Sequence, residues 1–553
     1  MNRRSIYRLF LSLAFSFLTM VAGAQAQHPT LEIEPYYDLA FTEAERDSLL
    51  QNLRDYQRSI SAIHQYRLEN SVPMSLWFDP VPSGFRKETV QKPIDWGLPK
   101  NVQVPSNAEE LALFPVYKLA VLLKNKKITS TQLTKIYIDR LKKFSDTLQC
   151  TVLLLEERAL AQARKADEEI AKGKYRGPLH GIPYGIKDLL AVEGTKTTWG
   201  AEPYIDQEIN TTATVVKKLD DAGAVLTAKF TMGALAMGDI WFGGVTKNPW
   251  NLKQGSSGSS AGSASATVAG LVAFSIGTET LGSIVSPSTR CGASGLRPTF
   301  GTVSRHGAMA LSWSMDKIGP ICRSAFDAAL VYDVIRGEDE LDKSTRSSVF
   351  NYSAKADLKK LKVGYVKSLF EATYANKEND QKVLDVIRSL GVELIEVELP
   401  ASVPVSGVRI MLTAEAAAAF DELTRSNKDS LLANQLRWAW PNTFRAARFI
   451  PAVEYINASR LRQQLIEVYH QATNDFDVII SPSFGGTQLL TTNLTGHPCV
   501  VVPNGFNDSG SPVSISFLGK LYGEAAPLLL ARAYQEATEW DDMHPPLFRV
   551  SNK

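Results

Sequence analysis

A stretch rich in serine and glycine, residues 255–297, holds the residues whose types could do nucleophilic chemistry. A serine hydroxyl attacks a carbonyl carbon when a base takes its proton and hydrogen-bond donors receive the oxyanion that forms. Glycine and serine at this density are typical of a flexible linker. Here they alternate with the apolar run VAGLVAFSIG, which must be buried. We therefore expect the small residues to allow close backbone packing around a ligand site.

Several serines in this stretch could be the nucleophile, and composition does not choose among them. One candidate is Ser260, because Gly258-x-Ser260-x-Gly262 fits the nucleophile-elbow pattern. That pattern needs a strand directly before it, whereas the preceding KNPWNLKQG is typical of a loop. It also needs histidine and acidic partners. The downstream histidines are each interpreted as structural or surface residues: His306, His470, His497 and His544.

The same stretch resembles the amidase signature of the serine amidohydrolase family. The similarity runs over GSSAGSASATVAGLVAFSIGTETLGSI and continues into CGASGLRPTFGTVSR. Upstream, GPLHGIPYGIKDLLAVEGTKTT at 177–198 looks like the family's lysine motif. The resemblance covers residues 108–546 and implies hydrolysis of a carboxamide without a metal or organic cofactor.

The resemblance assigns roles residue by residue. Ser283 in TLGSI would be the nucleophile, and Lys187 in GIPYGIKD would be the base. Ser259, which would lie in a cis peptide bond, would pass the proton between them. Because GSS occurs twice, Ser256 stays open as an alternative to Ser259, although only GSSAGSASA continues without a gap. The oxyanion hole would use the backbone N–H groups of three consecutive residues: Thr280, Leu281 and Gly282.

A lysine can act as a base near neutral pH only if its pKa falls well below the usual value of about 10.4. Burial lowers the pKa of a lysine because a low dielectric disfavours the charged form. Lys187 has apolar neighbours in sequence, Ile182, Ile186 and Leu189. We therefore expect Lys187 to be buried, unlike most lysines.

The oxyanion segment departs from the family's common TDTGGS by reading TETLGS at 278–283. Leu281 still supplies its N–H, and its side chain would line or narrow the entrance, which affects substrate scope. Glu279 keeps the acid and is expected to form a structural ion pair with Arg297 or Arg290. By resemblance, residues 401–450 help to shape the acyl pocket.

Short helical and strand patterns alternate along most of the chain, which favours a sheet covered by helices. The predicted fold class is α/β, with a single large amidase-signature domain whose mixed β-sheet carries helices on both faces. It would occupy residues 106–548, after a signal peptide at 1–26 and an extension at 27–105. In that extension, Thr42 and Glu45 predict a capping box that opens a helix over 43–69, and a proline-punctuated wrapping segment follows it.

The N-terminus has the pattern of a secretory signal. Three arginines precede the apolar run Leu9–Val21, and Ala24-Gln25-Ala26 forms an A-x-A cleavage site. Thirteen apolar residues are too few to span a bilayer, which needs about 20. We expect an exported protein, periplasmic or extracellular.

The amino-acid composition limits the classes of partner that the protein is expected to bind. Lysine and arginine total 60 against 58 acidic residues, a net charge of +2 without a run of like charge, so no nucleic-acid partner is indicated. The four cysteines fit no metal-clip spacing and are expected to be buried free thiols.

Three functions follow from this sequence. The leading hypothesis is an exported serine amidase acting on a small-molecule or peptide amide. The second is the glutaminase subunit of a tRNA-dependent amidotransferase, which resembles the same family but needs cytosolic partners. The third is a non-catalytic relative that binds an amide, which Leu281 motivates although Lys187, Ser259 and Ser283 are all present.

Overall fold

The computed structural model describes residues 28–63, 65, 69–72 and 76–550, so the predicted signal peptide at 1–26 lies outside the described residues. The chain divides into two compact units. The described residues up to Glu69 belong to the first, and the second begins at Asn70. Residues 70–105 therefore group with the larger unit.

The smaller unit is built on one helix, α1 (Glu43–Ile63). Glu45 Oε2 accepts hydrogen bonds from the Thr42 N–H at 2.7 Å and the Thr42 hydroxyl at 2.8 Å. The Glu45 N–H in turn donates to Thr42 Oγ1. The predicted capping box is therefore confirmed, because it satisfies amide groups that have no partner within the helix.

The larger unit contains an 11-stranded sheet. Its strands, in chain order, are β1 (Thr151–Leu154), β2 (Pro183–Lys187), β3 (Val225–Phe230), β4 (Phe274–Glu279), β5 (Ser294–Arg297), β6 (Lys317–Cys322), β7 (Val363–Val366), β8 (Leu394–Val397), β9 (Val478–Pro482), β10 (Cys499–Phe506) and β11 (Pro512–Gly519). Their order across the sheet is β1-β3-β2-β4-β6-β5-β10-β11-β9-β7-β8.

The sheet is mixed, as predicted. β2 is parallel to both β3 and β4, whereas β4 and β6 are antiparallel. β10 and β11 form an antiparallel pair, and β7 is parallel to β8 and β9. Strands β2, β4 and β6 are buried along their whole length, so their ends are rigid supports for a site.

Helices alternate with these strands. They are α2 (Val116–Lys124), α3 (Ser130–Leu148), α4 (Glu156–Ala171), α5 (Thr214–Asp221), α6 (Ala261–Val268), α7 (Val285–Cys291), α8 (Ala325–Ile335), α9 (Lys367–Glu371), α10 (Lys377–Ser389), α11 (Val405–Val408), α12 (Ile410–Ala419), α13 (Asp421–Arg425), α14 (Trp440–Ala447), α15 (Ala452–Thr473), α16 (Gln488–Leu494) and α17 (Ala525–Glu536). Helix α4 packs on β3, α8 on β6 and α17 on β11. The α/β class and the large mixed sheet are thus confirmed, and the covering of both faces stays a prediction.

The four cysteines, Cys150, Cys291, Cys322 and Cys499, are buried free thiols in the structure, as predicted. No helix in the described part of the chain is long and apolar enough to cross a membrane.

Candidate active site

Lys187 is the last residue of β2, and its side chain is 0% exposed. Its Nζ donates to Ser259 Oγ at 2.7 Å and to Thr278 Oγ1 at 2.9 Å. The Thr278 carbonyl lies 3.5 Å from the same nitrogen. The predicted burial of Lys187 is confirmed, and its hydrogen-bond partners are neutral oxygens.

Burial lowers the pKa of Lys187 to about 7, because the charged ammonium loses its hydration in the interior. The carboxylates of Asp316 and Glu279 oppose this fall, since negative charge stabilises the protonated amine. Burial is the larger effect. Lys187 can therefore accept a proton near neutral pH.

Ser259 lies where glycines let two backbone segments meet. The Gly258–Ser259 peptide bond is cis, as the resemblance implied, and Ser259 is 1% exposed. A Cβ at Gly258 would come within 1.8 Å of the Gly238 carbonyl oxygen, so only glycine fits there. The Asp239 carboxylate fixes the same segment by accepting the Ser257 N–H at 2.8 Å. The glycines of this stretch serve close packing in a buried segment.

Ser283 lies between Gly282, which has a φ of +82°, and helix α7. The Ser260 N–H donates to the Ser283 carbonyl at 3.2 Å, which joins the segment that carries Ser259 to the segment that carries Ser283. Ser283 is 8% exposed, against 0% for Lys187 and 1% for Ser259. Of the three predicted catalytic residues, Ser283 is the most accessible.

The segment Thr280–Gly282 connects β4 to Ser283. The Thr280 hydroxyl donates to Asp316 Oδ1 at 2.5 Å. Leu281 is partly buried and packs against the main hydrophobic core. The use of the Thr280, Leu281 and Gly282 amides as an oxyanion hole stays a prediction.

Glu279 ends β4 and is paired with Arg297. The Arg297 Nη1 atom donates to Glu279 Oε1 at 2.9 Å, and both side chains are 0% exposed. The structure therefore selects Arg297 over Arg290 for the predicted structural pair. Arg297 lies at the end of β5, so the pair links β4 to β5 across the strand β6 that lies between them.

The same carboxylate receives three further hydrogen bonds. Asn493 Nδ2 donates to Glu279 Oε1 at 2.8 Å, and the Ile284 and Val285 N–H groups donate to Oε2 at 2.9 Å each. Arg297 and these donors hold the pKa of Glu279 at about 2, although burial alone would raise it. Glu279 thus fixes the backbone that follows Ser283.

The alternative serines have other contacts. The Ser260 hydroxyl donates to the Thr278 carbonyl and accepts from the Thr278 N–H, each at 3.1 Å. Ser256 Oγ donates to the Ser257 carbonyl at 2.9 Å. Because Lys187 contacts Ser259, the geometry favours Ser259 over Ser256 as the bridging residue.

The segment KNPWNLKQG was predicted to be a loop, and this prediction was wrong, because it forms two short antiparallel strands, Lys247–Asn248 and Asn251–Gly255. These strands form a two-stranded sheet outside the main sheet. The buried His497 ring contacts the Thr495 hydroxyl at 2.8 Å, and burial lowers its pKa to about 3. His497 is thus a structural residue, as predicted.

Sequence reasoning missed three side chains of this site, Thr278, Asp316 and Asn493. Thr278 lies inside the motif that contains Ser283, yet its contact with Lys187 depends on the alignment of β4 beside β2. Asp316 and Asn493 lie outside that motif. Their acid and amide types were the only signal in the sequence.

Comparison with known proteins places these observations in a family. The family model described as Amidase matches residues 132–490. The chain is 31% identical over 473 residues to a glutamyl-tRNA(Gln) amidotransferase subunit of Coxiella burnetii strain Dugway 5J108-111, covering 77% of this chain and 97% of that protein. It is 32% identical over 476 residues to the same subunit of Dehalococcoides mccartyi, with the same coverage.

The comparison with solved structures also finds an amidase. The X-ray structure of native peptide amidase from Stenotrophomonas maltophilia superposes with a TM-score of 0.70 at 28% identity, over 79% of this chain and 99% of that one.

Proposed function

Because the chain belongs to the amidase family, whose members act on carbon–nitrogen amide bonds, we propose that it is a serine amidase working through an acyl-enzyme on Ser283. The observation that carries this proposal is the 2.7 Å contact between the buried Lys187 Nζ and Ser259 Oγ. A neutral lysine in contact with a serine is a proton acceptor positioned for nucleophilic catalysis.

In the proposed reaction, Ser283 Oγ attacks the amide carbonyl carbon while its proton moves to Ser259, and the Ser259 proton moves to Lys187. The oxyanion accepts hydrogen bonds from the 280–282 amides, each worth about 3 to 4 kcal/mol in the transition state. The carbon–nitrogen bond then breaks, and the leaving amine takes the proton from Lys187 through Ser259. Water attacks the acyl-enzyme by the reverse proton path and releases the acid.

The burial of Lys187 supports this path. A lysine with its ordinary pKa would be protonated at pH 7 and could not act as a base. With a pKa of about 7, about half of the Lys187 side chains are neutral at that pH. Proton transfer is most efficient when the pKa of the base lies near the working pH.

A second candidate is the glutaminase subunit of a tRNA-dependent amidotransferase. The observation that favours it is the set of relatives named as glutamyl-tRNA(Gln) amidotransferase subunits, which are 31 to 32% identical to this chain. The similarity to a peptide amidase structure favours the stand-alone amidase. Both functions break the carbon–nitrogen bond of an amide, and they differ in which amide is the substrate. Ammonia release from L-glutamine supports the second candidate, and hydrolysis of a peptide C-terminal amide without glutamine hydrolysis supports the first.

We also propose export, on the pattern of residues 1–26 alone. Export would separate the protein from tRNA and from cytosolic partner proteins, and it therefore agrees with the stand-alone amidase. Cell fractionation tests it: recovery of the chain in the cytosol with its N-terminus uncleaved contradicts export.

The test of the active site is covalent labelling. The full-length protein is treated with an alkyl fluorophosphonate, and the adduct is located by peptide mass spectrometry. Attack by Ser283 Oγ forms the oxygen–phosphorus bond and releases fluoride. We expect the adduct on Ser283, its loss in Lys187→Ala, and its retention in the neighbouring control Ser260→Ala. An adduct on Ser260 supports the elbow mechanism and refutes the proposal, and the absence of any adduct supports a non-catalytic relative.

A further inference from the structure

The turn before β6, residues 311–316, contacts the loop that carries the proposed oxyanion hole. The two carboxylate oxygens of its last residue, Asp316, accept hydrogen bonds from two different segments. Oδ1 accepts the Thr280 hydroxyl at 2.5 Å. Oδ2 accepts the N–H groups of Leu311 and Ser312 at 2.8 and 3.0 Å. One carboxylate therefore joins the oxyanion loop to this turn.

We propose that Asp316 is a positioning residue for amide hydrolysis, which holds the Thr280 end of the oxyanion loop in place through the Thr280 hydroxyl. The inference rests on the proposed function, since it concerns the oxyanion loop of that reaction. Oxyanion donors must be fixed before the reaction to stabilise the developing charge. Asp316 supplies an anchor for the side chain of Thr280, and through it for the Thr280 backbone.

The turn is a firm support because a second carboxylate holds its other side. Glu415, a buried residue of α12, accepts the Ser312 hydroxyl at 2.8 Å. It also accepts the Ser314 N–H at 3.0 Å and the Ser314 hydroxyl at 2.7 Å. Arg462 of α15 donates to the Ser314 carbonyl at 2.9 Å.

These contacts connect helices α12 and α15 to the turn, and Asp316 connects the turn to the oxyanion loop. Because the buried carboxylate of Glu415 and the partly buried carboxylate of Asp316 accept direct hydrogen bonds at each step of this connection, the loop is held against a packed part of the structure.

Asp316 also carries charge near the base. Two carboxylates act on Lys187, Asp316 from the turn and Glu279 from β4, and both favour its protonated form. Burial raises the pKa of Asp316, and the Thr280 hydroxyl, the positive charge of Arg305 and two backbone N–H groups oppose this rise by stabilising the carboxylate. Lys317 is the next residue along the chain. Removal of the Asp316 charge should therefore let Lys187 lose its proton at a lower pH.

The test compares four variants by their second-order rate of labelling with an alkyl fluorophosphonate between pH 5 and 9, with full-length protein. Asp316→Asn removes the charge and keeps the shape. Thr280→Val removes only the hydroxyl that Asp316 accepts, and Thr280→Ser restores it. Asp327→Asn is the matched control, because Asp327 is a buried carboxylate that also accepts two backbone N–H groups, at 2.9 and 3.0 Å.

We expect Asp316→Asn and Thr280→Val to be labelled about 10- to 100-fold more slowly at the plateau. Thr280→Ser should recover most of the rate that Thr280→Val loses, and Asp327→Asn should be labelled near the wild-type rate. In Asp316→Asn the acid limb of the pH profile should move to lower pH, and in Thr280→Val it should stay in place. A loss of packing alone lowers the plateau without moving the limb.

Thr280→Val labelled at the wild-type rate overturns the inference, as does an unmoved limb in folded Asp316→Asn. If Asp316→Asn fails to fold, the Thr280→Val and Thr280→Ser pair decides the question. Wild-type protein without a Ser283 adduct refutes the proposed function itself, and the inference with it.

Discussion

Substitution of Glu279 by glutamine should destabilise the protein strongly at neutral pH. The Glu279 carboxylate is fully buried and accepts the Arg297 guanidinium at 2.9 Å. Glutamine removes the charge and leaves the buried guanidinium without its partner, and breaking a buried ion pair in this way costs about 3 to 5 kcal/mol. Glutamine also presents an NH₂ group toward N–H donors that the carboxylate accepts.

The lowered pKa of Glu279, which has the same Arg297 pair among its causes, corresponds to a free energy of similar size. A shift from 4.5 to about 2 corresponds to about 3 kcal/mol of stability at pH 7, at 1.36 kcal/mol per pKa unit. Because the folded-state pKa is lowered, this stability is present above pH 4.5 and is lost as the pH falls toward 2. The difference between wild type and Glu279→Gln should therefore be largest at pH 7 and should narrow below pH 4.5.

Urea unfolding followed by tryptophan fluorescence at pH 7, 4.5 and 3.5 measures this difference. The double variant Glu279→Gln, Arg297→Met removes both members of the pair and should lose less stability than the sum of the two single variants, because neither group is left as an unpaired charge. A loss below about 1 kcal/mol at pH 7 for Glu279→Gln, or one that is the same at pH 7 and pH 3.5, would refute the electrostatic account.

Two further predictions concern catalysis. The rate of fluorophosphonate labelling of the wild-type protein should rise with pH through about 7 and then level off. Lys187 must be neutral to accept the proton, and its pKa is about 7. A labelling rate that rises only above pH 9 contradicts this prediction. Leu281→Gly should change the ratio of the KM values for bulky and small acyl amides about tenfold or more. The kcat for small amides should change less, because the backbone N–H of residue 281 stays and only the side chain is lost. Equal changes of KM for all amides would contradict a role of Leu281 in substrate scope.

Much of the site could be predicted from the sequence because its residues lie in short, continuous motifs. The apolar neighbours of Lys187 predicted its burial, and the glycines beside Ser259 predicted the close approach that the Gly258 position requires. The α/β alternation was readable for the same reason, since strand and helix patterns are local. Element ends were less accurate: the helix predicted over 43–69 has the bounds Glu43–Ile63.

Two contacts of the site involve residues outside the motifs and could not be predicted. Asn493 reaches Glu279 across 214 residues of sequence, and Asp316 reaches Thr280 through the antiparallel pairing of β4 and β6. Such contacts depend on the order of strands in the sheet, which local patterns do not contain.

The charges around Lys187 explain how a lysine that is influenced by two carboxylates can still act as a base. Glu279 and Asp316 would each favour the ammonium form. Both carboxylates, however, accept hydrogen bonds from other donors. Glu279 accepts one from the Arg297 guanidinium, and Asp316 accepts hydrogen bonds from a hydroxyl and two backbone N–H groups. Lys187 donates only to neutral oxygens of Ser259 and Thr278. Because Lys187 donates to Ser259 and Thr278 while the two carboxylates accept from other donors, burial outweighs their charge and determines the protonation of Lys187.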